Sequence, residues 1–353
     1  MSQSSFYEYY KTSIKDDMQI LICEDSKESE ELESVAKFFK KEVIVFPDFR
    51  PTFGDDLRVY KEELHQLFSN LREYYKAKTK PLVISPLKTL LFHMPSEDLL
   101  KSTTLEFGSN IKLKEFKEQM LFWGYSFVDM VQVEGEISFR GDIIDIYVPS
   151  CTNPIRISLF DETIEQIKLF ELESQRTVGE ELDSFEVTSA FFSLSEDSFN
   201  TLNKKIEKSE FDSLSQDIAS LGLWHLDELS SSFLDDKVTR LSRNLDHVLI
   251  DAYGINDPQI SRECFELELL PDSDNFKDLV VADIASLLKV HKDKKITIIA
   301  SNKAVMKQMG VFDLNNITEV YAPYILNILS GDELVISLNR PDKKRRRRKS
   351  SIL

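Results

Sequence analysis

The chain has 353 residues, 42% of them hydrophobic, and its formal net charge is -17. This length predicts two or three domains with separate cores, while the charge argues against a nucleic-acid-binding surface over most of the protein, because phosphates bind basic footprints. Three cysteines without CxxC spacing indicate neither a disulfide framework nor a zinc site. The sequence predicts a cytoplasmic protein, since it has neither a signal-peptide pattern nor a run near the ~20 apolar residues of a membrane span.

The first part of the chain alternates strand and helix patterns. Apolar runs at 18–23, 43–46 and 81–85 predict buried strands, and helical spacing predicts a helix capped by Ser26 and a second helix over 57–76. Such alternation is typical of a parallel sheet with right-handed crossovers. We therefore expect an α/β domain of the kind that binds nucleotides.

The loop after the first strand, residues 24–30, is where such a domain would bind phosphate through glycine amides at a helix N-terminus. Its sequence, EDSKESE, contains four acidic residues and no glycine. No GxxxxGKS or GxxxxGKT motif occurs in the chain. If the domain is of the P-loop class, its nucleotide site is predicted to be inactive, and no cofactor is expected.

The middle of the chain is a series of short alternating segments. A strand-like segment at 105–111 and a helix at 113–123, stopped by Gly124, lead into alternation that continues to Arg176. Phe160-Asp161-Glu162-Thr163 predicts the turn of a β-hairpin. These features predict a small antiparallel module inserted into the α/β domain.

Alternation within this module predicts one buried face and one open face. Ile137 and Phe139 share the buried face with three apolar residues of the next hairpin, Ile155, Ile157 and Leu159. The open face carries Ser138, Arg140, Arg156, Ser158 and Phe160. Arginine and large aromatic residues are enriched at the anchoring points of protein interfaces. The alternatives are surface arginines whose stems cover apolar neighbours and a phenylalanine buried at the hairpin end.

After residue 189 the pattern becomes helical again, over 195–221 and 226–243. An apolar run at 247–251 predicts a strand that could rejoin the first sheet. A further α/β unit is predicted over 279–337, with buried strands at 296–300 and 334–338.

No group of residues has the spacing of a catalytic or metal site. Four carboxylates lie near one another in the sequence, Glu134, Glu136, Asp142 and Asp145, but a chain this rich in acidic residues is expected to show such neighbours by chance. The five histidines are far apart. The chain ends in a basic run that could contact DNA, although compact like-charge blocks are usually disordered linkers. This run consists of Lys343, Lys344, Arg345, Arg346, Arg347, Arg348 and Lys349.

The sequence GYSFVDMVQVEGEISFRGDIIDIYVP, at 124–149, is followed by NPIRISLFDETIEQIKLFELESQRTVGE. This ordered set resembles the UvrA-binding domain shared by UvrB and the bacterial transcription-repair coupling factors, the Mfd family. The signature pairs are Gly-Tyr, Gly-Glu and Arg-Gly, and a terminal Ser-Gln-Arg follows. Because UvrB carries a working P-loop and this chain does not, the resemblance favours the N-terminal UvrB-homology region of the coupling factors.

The resemblance implies a degenerate RecA/P-loop-like α/β domain, split by an inserted small antiparallel α+β domain and followed by a second small α/β domain. The implied ranges are 1–104 for the first part of the α/β domain, 105–188 for the UvrA-binding insert, 189–262 for the second part, 263–340 for the small α/β domain and 341–353 for a basic linker.

The same resemblance implies site residues. The family's UvrA-contacting arginines fall on Arg140 and Arg156, and its exposed aromatic residue falls on Phe160. Ser138 and Ser158 occupy positions where UvrB tends to carry charged residues, so they are expected to be weaker contacts of the same face.

The implied function is recruitment of UvrA by mimicry of UvrB in transcription-coupled nucleotide excision repair, without enzymatic activity in this chain. The resemblance implies that RNA polymerase binds a further C-terminal domain of the family and that DNA and ATP bind its translocase motor, neither of which this sequence is expected to contain. The alternative is a UvrB-like or other nucleic-acid-stimulated ATPase with a cryptic nucleotide site. A third hypothesis is direct DNA binding by the basic run.

Overall fold

The computed structural model describes residues 2–12, 18–51, 55, 57–207, 230–232, 239–242, 267–307 and 316–340. The protein is mixed α/β, with several separate sheets. Its helices are α1 Ser2–Thr12, α2 Ser26–Phe38, α3 Lys61–Lys76, α4 Leu87–Leu90, α5 Leu113–Phe122, α6 Glu196–Glu207, α7 Ile284–Val290 and α8 Lys303–Lys307, with 3-10 turns at Leu57–Tyr60 and Glu97–Leu99.

The strands are β1 Ile20–Cys23, β2 Val43–Val45, β3 Leu82–Pro86, β4 His93–Pro95, β5 Ser102–Glu106, β6 Ser126–Phe127, β7 Glu136–Arg140, β8 Ile143–Ile146, β9 Ile155–Phe160, β10 Thr163–Phe170, β11 Thr177–Val178, β12 Ser184–Thr188, β13 Ser230–Ser232, β14 Thr239–Leu241, β15 Leu267–Leu269, β16 Phe276–Asp278, β17 Lys295–Ala300, β18 Ile317–Tyr321, β19 Ile328–Ser330 and β20 Glu333–Ser337.

The chain divides into two compact units. The first unit comprises Met1–Val45, Pro81–Leu87 and Lys237–Leu353, and the second comprises Phe46–Lys80 and Lys88–Asp236. Both units are therefore discontinuous in the sequence. The five domain ranges given above stay predictions.

The first unit contains a parallel sheet with the strand order β15-β14-β1-β3-β2. The predicted parallel arrangement of the first three strands is confirmed, since β1 and β2 both pair parallel with β3. All four residues of β1 are buried, and α2 buries Leu32, Val35 and Ala36 against the same core. The helical spacing of these residues explains why this segment packs as a helix.

Two predictions in this region are wrong. The cap of α2 is Asp25 rather than Ser26, because the Asp25 carboxylate accepts a hydrogen bond from the Glu28 backbone N–H at 2.9 Å. The helix predicted over 226–243 is interrupted by β13, which pairs with β4, and by β14, which lies beside β1. At both places, pairing with a neighbouring strand decides the secondary structure, although the local spacing of apolar residues favours a helix.

Several predicted segments lie outside the described residues. These segments are the strand at 247–251, the part of the predicted helix beyond residue 207 and the basic run at 343–349.

A second sheet of the first unit has the order β16-β19-β20-β17-β18 and mixes parallel and antiparallel pairs. It shares an apolar core with the parallel sheet, since one buried cluster contains Leu21 of β1 and Val335 of β20. Phe6 and Tyr7 of α1 belong to the same cluster. The Tyr7 hydroxyl donates a hydrogen bond to Glu333 at 2.9 Å, so α1 is fastened to the second sheet.

The second unit contains α3, α5 and a six-stranded sheet with the order β11-β10-β9-β8-β7-β6. A further pair, β5 and β12, is antiparallel. The apolar side of α3 packs Phe68 against Phe191 and Phe192, with ring centroids 6.0 and 5.4 Å apart. This packing holds the segment after β12 against α3.

A buried histidine lies where α3 meets the chain before β7. His65 is 3.6 Å from Glu134, measured from Nδ1 to Oε2, and burial lowers the pKa of its imidazole. The next residue, Gly135, has φ +79°, and a Cβ at this position would lie 3.0 Å from His65 Cε1. Only glycine satisfies both the left-handed backbone and the close approach.

We expect Gly135→Ala to destabilise the second unit by more than its backbone strain alone. The left-handed backbone costs an alanine about 1–2 kcal/mol, and crowding of the His65 ring adds about 1 kcal/mol or more. The midpoint of urea unfolding checks this expectation.

Gly108→Ala is the matched control, because Gly108 has φ +78° and open space where the Cβ would lie. Equal destabilisation by the two substitutions would show that the contact with His65 contributes nothing.

Candidate protein-binding face

Four neighbouring strands, β7 to β10, form the centre of the six-stranded sheet, and all their pairs are antiparallel. Their register aligns the outward side chains in two rows across the sheet. One row is Arg140, Ile143, Ser158 and Gln166, and the other is Ser138, Asp145, Arg156 and Lys168. We call these two rows, together with Phe160 at the end of β9, the open face.

The opposite side of the same strands is the core of this module. Ile144, Ile157 and Ile167 are fully buried there, and Phe116 and Met120 of α5 are buried in the same module. Because successive side chains of a strand point to opposite faces, burial of these isoleucines fixes which residues form the open face. The alternation predicted for β9 is thus confirmed residue by residue, from Ile155 to Phe160.

Asp145 of β8 is the centre of the open face. Its side chain is 1% exposed, and it accepts hydrogen bonds from both predicted arginines. Arg156, directly across on β9, donates from Nε to Oδ1 at 2.7 Å and from Nη2 to Oδ2 at 2.9 Å. Arg140, diagonally across on β7, donates from Nη2 to Oδ2. One buried carboxylate therefore brings together two guanidinium groups.

Arg156 is held on further sides and is only 17% exposed. Its Nη1 donates to the Gln175 carbonyl oxygen at 3.0 Å, and its Cζ lies 4.7 Å from the ring centroid of Phe170. The hydrogen bond to Asp145 raises the pKa of the Arg156 guanidinium, so it remains charged. The cation–π contact with the buried Phe170 ring further restricts the position of the Arg156 guanidinium.

Arg140 and Phe160 are the accessible members of the open face. The Arg140 side chain is 44% exposed, and Phe160 is 64% exposed. They lie at the same end of the sheet, since Arg140 precedes the β7–β8 turn and Phe160 precedes the β9–β10 turn. Gly141, at φ +61°, forms the first of these turns. A cation and an aromatic ring are therefore presented together.

The two serines differ in their surroundings. Ser138 is 1% exposed, and its hydroxyl donates to the Asp129 carbonyl oxygen at 2.8 Å. The loop before β7 therefore covers Ser138, and the Glu136 carboxylate holds the same loop through the backbone N–H groups of Gln132 and Val133. Ser158 is half-buried in the middle of the open face.

Asp145 is the residue of this face that the sequence prediction missed, because it was grouped with neighbouring carboxylates whose adjacency chance explains. A signal was present: Asp145 alternates with Ile144 and Ile146, so it lies on the outward face of a strand between two arginine-bearing strands. The contribution of the Gln175 carbonyl had no such signal, because it depends on a left-handed residue in a loop distant in sequence, with φ +54°.

The loop where a nucleotide phosphate would bind is occupied by its own carboxylates. Asp25 accepts a hydrogen bond from the Glu28 N–H, and the buried Glu28 accepts one from the Glu24 N–H at 2.7 Å. Two backbone amides of this loop and the first turn of α2, those of Glu24 and Glu28, thus donate to carboxylates of the chain itself.

Comparison with known proteins identifies the segment that carries the open face. Residues 103–191 match the family model of the UvrB interaction domain. This segment is therefore similar to the UvrB interaction domain. All five predicted site residues lie within these boundaries.

The whole chain is similar to the transcription-repair-coupling factors of two Helicobacter pylori strains. It is 35% identical to that of strain J99 and 36% identical to that of strain 26695, over 360 residues in each case. The alignments cover 100% of this chain and 36% of each relative. A factor from Bacillus subtilis is 34% identical over 100 residues, which cover 28% of this chain and 8% of the relative. The predicted resemblance is confirmed, and the chain spans about a third of the length of its Helicobacter relatives.

The part of the chain that the structure describes contains no group of three or more His, Cys, Asp or Glu side chains that could hold a metal ion. Among the same residues, no helix combines the length and the apolar character needed to cross a membrane.

We expect Phe160→Ala to leave the free energy of unfolding within about 0.5 kcal/mol of the parent value, because the exposed ring contributes little to packing. Phe170→Ala should cost about 3–5 kcal/mol, since that ring is fully buried under Arg156. Urea unfolding of both variants checks the contrast. Comparable losses would show that Phe160 is a core residue.

Proposed function

We propose that this chain recruits UvrA by mimicking UvrB, and that the open face of its UvrB interaction domain is the contact surface. The observation that carries the proposal is the match of residues 103–191 to that domain, with Arg140, Arg156 and Phe160 gathered on one of its faces. In this proposal Arg140 and Phe160 contact UvrA directly, while Ser138 and Ser158 contribute less.

The chemistry of the open face suits a protein partner. An aromatic ring that is 64% exposed gains when it is buried in a complementary pocket, and truncation of such an anchor typically costs ~2 kcal/mol or more. The guanidinium of Arg140 offers directional donors at the same end of the sheet as that ring. In a chain with a net charge of -17, this local cation favours an acidic patch on the partner.

The remainder of the chain is proposed to be a scaffold. The finer architecture, a degenerate RecA/P-loop-like domain split by the insert at 105–188 and followed by the small α/β domain at 263–340, belongs to this proposal. So does the absence of enzymatic activity and of a bound cofactor, which the carboxylate-filled loop before α2 supports.

The larger protein of which such a chain would be the N-terminal region is proposed to act in transcription-coupled repair. The printed name of its relatives, transcription-repair-coupling factor, supports this assignment. Contacts with RNA polymerase and DNA, and the use of ATP, are proposed for segments outside this chain.

We expect the chain to bind UvrA and the double variant Arg140→Glu/Phe160→Ala to lose at least tenfold in affinity, about 1.4 kcal/mol. The variant reverses the exposed charge and removes the exposed ring. Isothermal titration against purified UvrA measures both affinities.

Lys112→Glu/Phe107→Ala is the matched control. It makes the same chemical changes at exposed residues of the same domain, outside the open face. Undiminished binding by the Arg140/Phe160 variant, or equal loss by both variants, would contradict the assignment of the open face.

We expect no binding of ATP by this chain at micromolar concentrations, because the loop before α2 presents carboxylates where phosphate would lie. Equilibrium dialysis with labelled ATP and Mg²⁺ checks this. A dissociation constant in the micromolar range would favour the alternative of a cryptic ATPase site.

A further inference from the structure

The surroundings of Asp145 indicate that it does more than stabilise the fold. It is the carboxylate of the open face that both arginines share, it is 1% exposed, and its two oxygens receive three hydrogen bonds. Desolvation of a buried ion pair commonly offsets most of its attraction, so apolar residues of similar volume often serve stability as well. Ile143, two residues earlier on the same side of β8, is apolar, so this side of the strand accommodates an apolar side chain.

What Asp145 does uniquely is to fix geometry. Two guanidinium groups repel each other, and both side chains have many rotamers. A carboxylate between them removes the repulsion and selects one rotamer for each. The two arginines and Asp145 together then carry one net positive charge, and the group among them that reaches solvent is mainly Arg140.

The two arginines differ in how much they can offer a partner. Arg156 uses Nε, Nη1 and Nη2 in bonds to Asp145 and Gln175. Arg140 uses Nη2 alone in the bonds found among the described residues, so its Nε and Nη1 donors remain available on the exposed side. Arg156 is thus held in place by its own bonds, whereas Arg140 has donors left with which it can bind a partner.

We propose that Asp145 is the positioning residue of the open face: it aligns Arg140 against the fixed Arg156, and it influences binding through these two arginines without contacting the partner. This inference rests on the proposed binding of UvrA, and it assigns the carboxylate that organises that surface.

The first test is independent of any partner. Arginine Nε–Hε signals in ¹⁵N NMR spectra of the full chain report the ordering of each guanidinium. We expect a slowly exchanging Arg156 signal in the parent protein and a faster-exchanging signal in Asp145→Asn, because Nε donates to the Asp145 carboxylate. Protection of Arg156 that survives this substitution would overturn the positioning role even if UvrA did not bind at all.

The second test is a double-mutant cycle on UvrA affinity. Asp145→Asn alone should weaken binding at least tenfold, although the amide is nearly the same size as the carboxylate. In an Arg140→Ala/Arg156→Ala background the same substitution should change affinity less than twofold, because its effect passes through the arginines. Equal losses in both backgrounds, or parent affinity in the single variant, would overturn the inference.

Glu186→Gln is the matched control for both tests. It also converts a carboxylate in an ion pair to an amide, but Glu186 lies on β12 and pairs with Lys76, outside the open face. It should change neither the Arg156 signal nor UvrA affinity. Circular dichroism and urea unfolding of each variant separate loss of fold from loss of positioning. If the parent chain does not bind UvrA but Arg156 behaves as expected, the proposed function fails and the assignment of Asp145 stands.

Discussion

The open face depends on the hydrogen bonds between the buried carboxylate of Asp145 and the two arginines. The sheet places Asp145 directly across from Arg156 and one step diagonally from Arg140, so its position is fixed by register alone. Burial makes this carboxylate costly unless it is fully hydrogen-bonded, and the two arginines meet that requirement. A shift of β8 by one residue would turn Asp145 into the apolar core, so the same bonds also oppose register errors.

Other parts of the domain preserve this register. The isoleucines behind the sheet are fully buried, Phe116 of α5 packs against Phe139 of β7, and Gly135 allows the chain before β7 to approach His65 closely. Phe170 supports Arg156 from below, and the left-handed Gln175 turns its carbonyl toward the same guanidinium. The proposed contact residues are few, whereas the residues that orient them are spread over much of the domain.

Sequence periodicity was sufficient for the faces of β9 and for the parallel arrangement of β1 to β3, because these depend on local alternation and burial. It could not reveal that β14 lies beside β1, since a three-residue strand becomes a strand through its partner. It also placed the helix cap one residue late, at Ser26, where two adjacent polar residues compete for the role. Ser138 shows a third limit: its parity was right, but the loop before β7 folds back over it. The predicted site residues lie on one side of the sheet, while the carboxylate that connects the two arginines required the register across three strands.

The fastening of α1 to the second sheet has a consequence for synthesis on the ribosome. Tyr7 and its partner Glu333 are 326 residues apart in the chain. At bacterial translation rates of about 5–20 residues per second, the interval between making the two is on the order of tens of seconds. During that interval the aromatic side of α1 has no completed core to join. The second unit ends about a hundred residues earlier, so its folding can be complete before β20 is made. Helix α1 is then among the last elements to be buried, although it is synthesised before the other described elements of both units.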